Sequence, residues 1–440
     1  MKKNIETPIP LVTARTIRKT IASHRGCCLL VLWMFSAPLL IQHALSQQDA
    51  TASRVHTDWN GVGDAPDNPG PLATDLSPKL TKAAVDKVIR KVADWQLQHA
   101  QSFFSQDWTF SALYPGLMSA SRVLAEPSYE NAMLEVGHKY NWELAPRLVD
   151  PTYVGHNQPA GQTYDADDQL LALTYVELYQ LHHDPAMIAP TQSQFDQVMT
   201  EKDNPDPAAP RWWWCDALFM AAPSWVHLYQ ATGNKAYLDY MDREWWATSA
   251  FLYDPQEHLY FRDSNFFTKR DKNGQKLFWS RGNGWVMAGL AQVLDGLPKD
   301  YPSRSKYVTQ YKEMAARVAS LQGSDGLWRP GLLDRQAYEQ SEVSGSGFFL
   351  YSLAWGVDRG ILSRKIYMPV IRKGWEGLVS HVYADGRVGG IQPVASGPGN
   401  FKPSSSYVYG VGAFLLAGSE VHELTVHSRG HQHTVQSANR

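Results

Sequence analysis

The sequence predicts an all-α fold of about twelve helices, arranged as six pairs that close into a toroid. Three observations predict it. From about residue 79 to near the end, apolar residues recur at i, i+3 and i+4, the spacing of helices with one buried face. No long run alternates apolar and polar residues with period two, which argues against a large sheet. The helices also come in pairs joined by short polar or glycine turns, while longer connections carry clustered tryptophan, arginine and aspartate.

The first helix shows its buried face in Val85, Val88, Ile89, Val92 and Trp95. Comparable segments follow at 109–125, 128–145, 166–183, 213–232, 234–247, 283–297, 304–321, 344–359, 364–380 and 405–419. The clearest hairpin runs from Leu228-Tyr229-Gln230 through Gly233-Asn234 to Ala236-Tyr237-Leu238, and the stretches around Pro127 and Gly360 repeat it more weakly. The unit of roughly 50–65 residues is longer than an ordinary helical repeat, so each pair has room for a loop at its other end. Those loops hold Arg211-Trp212-Trp213-Trp214-Cys215-Asp216, Trp279-Ser280-Arg281-Gly282-Asn283-Gly284-Trp285 and Glu342-Val343-Ser344-Gly345-Ser346-Gly347. An open solenoid would use the same hairpins. The aromatic-rich loops favour the closed form, because a pocket rim needs loops that converge.

Composition sets outer limits. The 440 residues carry 41 Lys+Arg against 43 Asp+Glu, a formal net charge of −2, without the basic excess of a nucleic-acid binder. With 44% hydrophobic and 19% charged residues, the chain is not disordered. Its 16 tryptophans suit sugar stacking and large cores alike. Residues 1–46 read as a signal peptide: basic residues from Lys2 to Arg25, the apolar run Cys27 to Phe35, then a small-x-small site at Ala44-Leu45-Ser46. Pro38 interrupts the apolar run, which is short for a membrane span; an uncleaved anchor is the alternative. Residues 47–78 read as a tether, 79–422 as the barrel and 423–440 as a polar tail. Signal removal leaves Cys215 alone, so no internal disulfide forms, and a core of this size needs none. The expected location is periplasmic or secreted, free of the membrane after cleavage.

Asp216 is the strongest candidate for chemistry. It follows Trp212, Trp213 and Trp214 and opens the apolar stretch Ala217-Leu218-Phe219-Met220. Desolvation there raises a carboxyl pKa toward a value useful to a general acid. An aspartate in this place also suits a helix N-cap, and the two roles are compatible. In the second motif, Arg281 offers a fork that matches a carboxylate, Gly282 and Gly284 permit a tight turn, and Trp279 and Trp285 flank it as stacking plates; a structural arginine among core tryptophans is the alternative. In the third, Asp165-Ala166-Asp167-Asp168 opens a helix, where acids suit the macrodipole; three in four positions exceed what capping requires, so one could be a second site carboxylate. His182-His183 suits a helix end, and His422, His427, His431 and His433 fall at or in the polar tail. No zinc-protease, esterase or phosphate-loop motif occurs.

Taken together, Trp213-Trp214-Cys215-Asp216-Ala217-Leu218-Phe219-Met220-Ala221-Ala222-Pro223, Trp279-Ser280-Arg281-Gly282-Asn283-Gly284-Trp285, Ser344-Gly345-Ser346-Gly347-Phe348 and Tyr409-Gly410-Val411-Gly412 through Glu420 resemble glycoside hydrolase family 105, in the same order over roughly residues 80–422. These are the unsaturated rhamnogalacturonyl and related unsaturated glucuronyl hydrolases. The resemblance implies an (α/α)6 barrel and a substrate oligosaccharide with a 4,5-unsaturated uronic acid at its non-reducing end. It implies Asp216 as the catalytic acid and base, with Asp167 or Asp168 as the second acidic residue. It further implies Arg281 at the uronate, and Trp213, Trp214, Trp279 and Trp285 around the pocket, with no metal or cofactor. One departure stands out: Arg262 occupies about the place where many rhamnogalacturonan-directed members have a histidine, which makes a sulfated or otherwise anionic neighbouring sugar, as in ulvan fragments, a plausible ligand of Arg262. The alternatives are an inverting glycosidase acting on saturated oligosaccharides with two carboxylates, a sugar epimerase, a non-catalytic glycan-binding barrel and a helical scaffold; the key loops lack an epimerase's histidines, and a scaffold does not call for their tryptophan and arginine. Mass spectrometry of the exported chain is expected to find Gln47 at its start.

Overall fold

A computed structural model of the chain describes residues 61–145, 166–200 and 210–438, with side chains to 427 in the last helix. The expected signal segment 1–46, the first part of the expected tether (47–60), Asp165, and the side chains of His431 and His433 lie outside the described residues. Twelve helices alternate between two layers: α1 (Lys82–Ala100), α2 (Tyr114–Leu124), α3 (Pro127–Lys139), α4 (Ala166–His182), α5 (Ala189–Thr200), α6 (Ala222–Thr232), α7 (Lys235–Leu252), α8 (Ser280–Gly296), α9 (Arg304–Ser320), α10 (Val343–Asp358), α11 (Arg364–Val379) and α12 (Val408–Ala438).

The even-numbered helices form a closed inner ring. Helix α2 packs on α4, α4 on α6, α6 on α8, α8 on α10, α10 on α12, and α12 returns to α2. Burial tells the layers apart. Every residue of α8 except Asp295, and every residue of α10 except Asp358, is buried. Outer helices bury one stripe, as α9 does with Tyr307, Tyr311, Met314, Ala315 and Val318. The expected toroid of six hairpins is therefore what forms, and the open solenoid is not. Among the described residues the strands are two residues long, and no helix is long and apolar enough to cross a membrane.

Glycine sets how closely the inner ring packs. A methyl group at Gly116 of α2 would overlap the Gly412 carbonyl of α12, one at Gly347 of α10 would overlap the Ala413 backbone of α12, and one at Gly289 of α8 would overlap the Leu218 carbonyl of the adjoining Ala217–Met220 turn. These helix backbones touch where any side chain would hold them apart.

Four features differ from the sequence expectation. Helix α5 has no counterpart among the expected segments, because only Thr191, Phe195 and Val198 of it are buried and its polar face dilutes the periodicity. The expected helix 213–232 breaks at Ala221, since Pro223 has no N–H to continue the ladder from the Ala217–Met220 turn into α6. The later part of the tether is not free: β1 (Gly63–Asp64) pairs antiparallel with β4 (Ser406–Tyr407), and Asp64 forms a buried ion pair with Arg387. The polar tail is helical, because α12 continues unbroken to Ala438. Gly289→Ala is expected to lower the unfolding free energy by about 1–3 kcal/mol in denaturant titration, through overpacking of α8 against the Ala217–Met220 turn.

Candidate functional site

Alternation of inner and outer helices makes all inner helices run the same way, so their N-termini gather at one end. The long connections lie at this end, and short turns such as Gly233-Asn234 lie at the other. Six helix N-termini give this end a positive potential suited to an anion.

Asp216 sits here, at the head of the Ala217–Met220 turn, 7% exposed. Its side chain makes no capping hydrogen bond, so capping does not account for it. Arg262 Nε lies 3.4 Å from its Oδ2, within ion-pair reach but not aligned as a hydrogen bond. The Cys215 thiol, 3.6 Å from the same oxygen, donates to it. Burial pushes the Asp216 carboxyl above the ordinary aspartate value, while Arg262 and, more weakly, Arg281 pull against that rise. Burial prevails, so Asp216 keeps its proton to higher pH than an exposed aspartate.

Arg262 is itself held in place. Its Nη1 donates to Asp263 at 2.8 Å, its carbonyl accepts from the Cys215 amide at 2.8 Å, and its guanidinium lies 5.5 Å over the half-buried Trp213 ring. Trp214 packs beside Trp213, with ring centroids 4.8 Å apart. The hairpin of β2 (Tyr253–Asp254) and β3 (Leu259–Tyr260) carries Arg262, and Asn283 of α8 pins it. Asn283 accepts from the Tyr260 amide at 2.7 Å and donates to the Tyr260 carbonyl at 3.0 Å. Asn283 thus fixes, through the hairpin, where Arg262 meets Asp216.

The Trp-Ser-Arg-Gly-Asn-Gly-Trp motif departs from expectation. It is the first turn of α8, not a tight turn, and its glycines serve close packing: a methyl at Gly282 would lie 3.0 Å from Cys215 Sγ, and one at Gly284 3.2 Å from Gly345 Cα. Arg281, 1% exposed, does not offer an open fork to a carboxylate. It donates to the carbonyls of Gln392 and Pro393, both at 2.8 Å, and lies between the Trp279 and Tyr409 rings at 4.4 and 4.9 Å. Trp285, 1% exposed, is core, packed on Phe348 and Phe219; Trp279, 2% exposed, donates to Gln392 at 2.8 Å. Neither is a pocket-facing plate. Arg281 and Trp279 instead fasten the 392–393 segment to the barrel.

Asp167 and Asp168 stand half-buried in the first turn of α4, which packs on the Ala217–Met220 turn, so both belong to the rim that holds Asp216. Several side chains here escaped the sequence reading. Glu342 is fully buried and caps α10, accepting from the Ser344 and Gly345 amides and from Gln392 N. Trp108, half-buried, stacks on Tyr409 at 5.4 Å and brings an accessible aromatic to the rim. Among the described residues no group of three or more metal-ligating side chains comes together. His182 pairs with Glu130, His422 with Asp86 and His427 with Asp358.

Comparison with known proteins extends this geometry. The family model described as Glycosyl Hydrolase Family 88 matches residues 81–425. A relative named unsaturated 3S-rhamnoglycuronyl hydrolase, from Formosa agariphila, is 36% identical over 78% of this chain and 92% of its own length. A solved structure described as a polysaccharide lyase is 32% identical, with a TM-score of 0.70 over 78% of this chain and 97% of that one. A structure from Salmonella enterica serovar Paratyphi A, described as a possible family 105 member, shares the fold at 18% identity, with a TM-score of 0.63 over 78% and 94% of the two chains.

Replacing Asn283 by alanine orphans the buried amide and carbonyl of Tyr260. Asn283→Ala is therefore expected to lower the unfolding free energy by about 2–5 kcal/mol, read by denaturant titration.

Proposed function

The chain belongs to Glycosyl Hydrolase Family 88 and is a glycoside hydrolase, and from this premise we propose that it removes a 4,5-unsaturated uronic acid from the non-reducing end of lyase-generated oligosaccharides by hydrating the vinyl ether. The observation that carries the reading is Asp216: a buried carboxyl whose pKa desolvation raises, with one arginine beside it.

The reaction follows from that group. The C4=C5 π electrons take the Asp216 proton at C4, and positive charge develops at C5 and the ring oxygen. Asp216, now a carboxylate beside Arg262, receives a proton from the water whose oxygen bonds to C5. The C5–ring-oxygen bond of the resulting hemiketal then breaks, and the exposed hemiacetal at C1 releases the second sugar. One carboxyl serves as acid and then as base, which requires a pKa near working pH. Asp167 or Asp168, on the same rim, orients water or substrate. The six helix N-termini favour the uronate. Trp213 and Trp108, both half-buried, supply aromatic surface for the sugar rings, whereas Trp214, 4% exposed, is core behind Trp213.

The second sugar in this reading is a sulfated rhamnose. Arg262 supports it, since Asp263 holds its guanidinium beside Asp216 while its side chain keeps 21% of its surface exposed. An arginine matches a sulfate as it does other oxyanions. The relative's name, unsaturated 3S-rhamnoglycuronyl hydrolase, supports the same class of substrate. The basic and apolar N-terminal segment supports export of the chain.

Loss of ultraviolet absorbance from unsaturated disaccharides tests the function. Wild type is expected to consume the sulfated rhamnose disaccharide faster than an unsulfated one, and Asp216→Asn to be slower by about 10²–10⁴-fold or more. The likeness to a structure described as a lyase gives a second reading, and the same assay separates it: a lyase raises the absorbance of intact polymer, whereas this chain is expected to leave polymer unchanged. Arg262→Met removes the cation that lowers the Asp216 pKa. Activity needs the protonated acid, so it falls as pH rises through that pKa; in Arg262→Met this alkaline limb is expected to move to higher pH, with KM for the sulfated substrate raised.

A further inference from the structure

Five inner helices end at the face opposite Asp216 and α12 runs on past it; there all six border a cavity of about 470 Å3. All six contribute to its wall, with Arg122 from α2, Glu177 from α4, His227 from α6, Asp295 from α8, Trp355 from α10 and Glu420 from α12, and Arg359 joins them from just past the end of α10. None of these residues belongs to the hydrolytic site.

The cations of this cavity already have partners. Arg122 pairs with Glu177 at 3.3 Å, and Arg359 pairs with Asp295 at 2.9 Å and Asp358 at 2.6 Å. His427 pairs with Asp358 at 2.6 Å and approaches Glu423 at 3.8 Å. Glu420 is left over. It is 7% exposed, it lines the cavity, and its Oε2 has no hydrogen-bond partner among the described residues. Burial pushes its carboxyl up to about 7, with Asp358 and Asp295 adding to the rise and Arg359 and Arg122 opposing it. The His227 Nδ1 atom is likewise buried and unpartnered, and burial holds that ring down to about 4, hence neutral.

A buried carboxylate with an unpartnered oxygen is costly, and the negative ends of five helix dipoles, all but that of α12, meet at the same place. What answers both is positive charge carrying N–H donors. A metal ion is a poor answer, because among the described residues no three ligating side chains converge. Tyr351 and Trp355 add aromatic wall, which an ammonium group can use.

We propose that this cavity binds a small organic ammonium compound, with its N–H groups seated on Glu420. The site lies at the far end of the barrel from the reaction, so its occupancy is separable from turnover.

The test is calorimetric titration of the full chain with putrescine at pH 8.5 and pH 5.5, with 1,4-butanediol as the neutral match. Saturable one-to-one putrescine binding is expected at pH 8.5, and none by the diol. At pH 5.5 affinity is expected to be about 30-fold weaker, because Glu420 is mostly protonated there. His427, whose pKa Asp358 raises, gains charge over the same range and acts in the same direction. Glu420→Gln is expected to lose binding at pH 8.5 while hydrolysing unsaturated substrate at the wild-type rate. Absent binding by wild type at pH 8.5, equal affinity at the two pH values, equal binding of the diol, or unchanged binding by a folded Glu420→Gln each overturns the proposal. The wild-type pH pair and the diol comparison decide it even where the variant does not fold.

Discussion

The constraint on which the structure depends is close contact between inner helices. A ring of six helices buried on nearly every side has little room for side chains between neighbours. Glycine at 116 and 347 lets the backbones of α2 and α10 meet that of α12 directly. That tightness brings the helix N-termini near one another and sends the long connections over one end. Everything chemical then follows from which residues those connections carry.

At that end, two opposing effects set the state of one carboxyl. Burial favours the neutral form of Asp216, and Arg262 favours the charged form. In the proposed reaction Asp216 gives a proton and then takes one back, which such a balance serves, whereas a strong salt bridge would fix it as a base. The 3.4 Å separation, without hydrogen-bond alignment, keeps Arg262 a bias and not a clamp. Its position is set remotely, through Asn283, the β2–β3 hairpin and Cys215.

Much of this was legible in the sequence, for physical reasons. Helical periodicity and hairpin turns are local signals, and they indicated the paired architecture and its long-loop end. Asp216 was legible because three tryptophans precede it and an apolar turn follows. The parts that were not legible depend on contacts distant in sequence. Helix α5 buries too little to show a stripe. Arg281 looks like a ligand-binding fork until Gln392 and Pro393 are seen to fill it, across more than a hundred residues. Trp285 looks like a stacking plate until Phe219 and Phe348 enclose it. The glycines around Asn283 suggested a turn, yet what they provide is room for Cys215 and Gly345.

The central claim is that the reaction begins at a carbon–carbon double bond and not at the anomeric carbon. The most direct measurement compares two disaccharides that differ only in that bond, an unsaturated uronyl-rhamnose sulfate and its saturated counterpart, by chromatographic detection of the released second sugar. Release from the unsaturated compound alone is expected. Comparable release from the saturated one would contradict it and would assign Asp216 and an aspartate of the α4 turn to an ordinary two-carboxylate glycosidase.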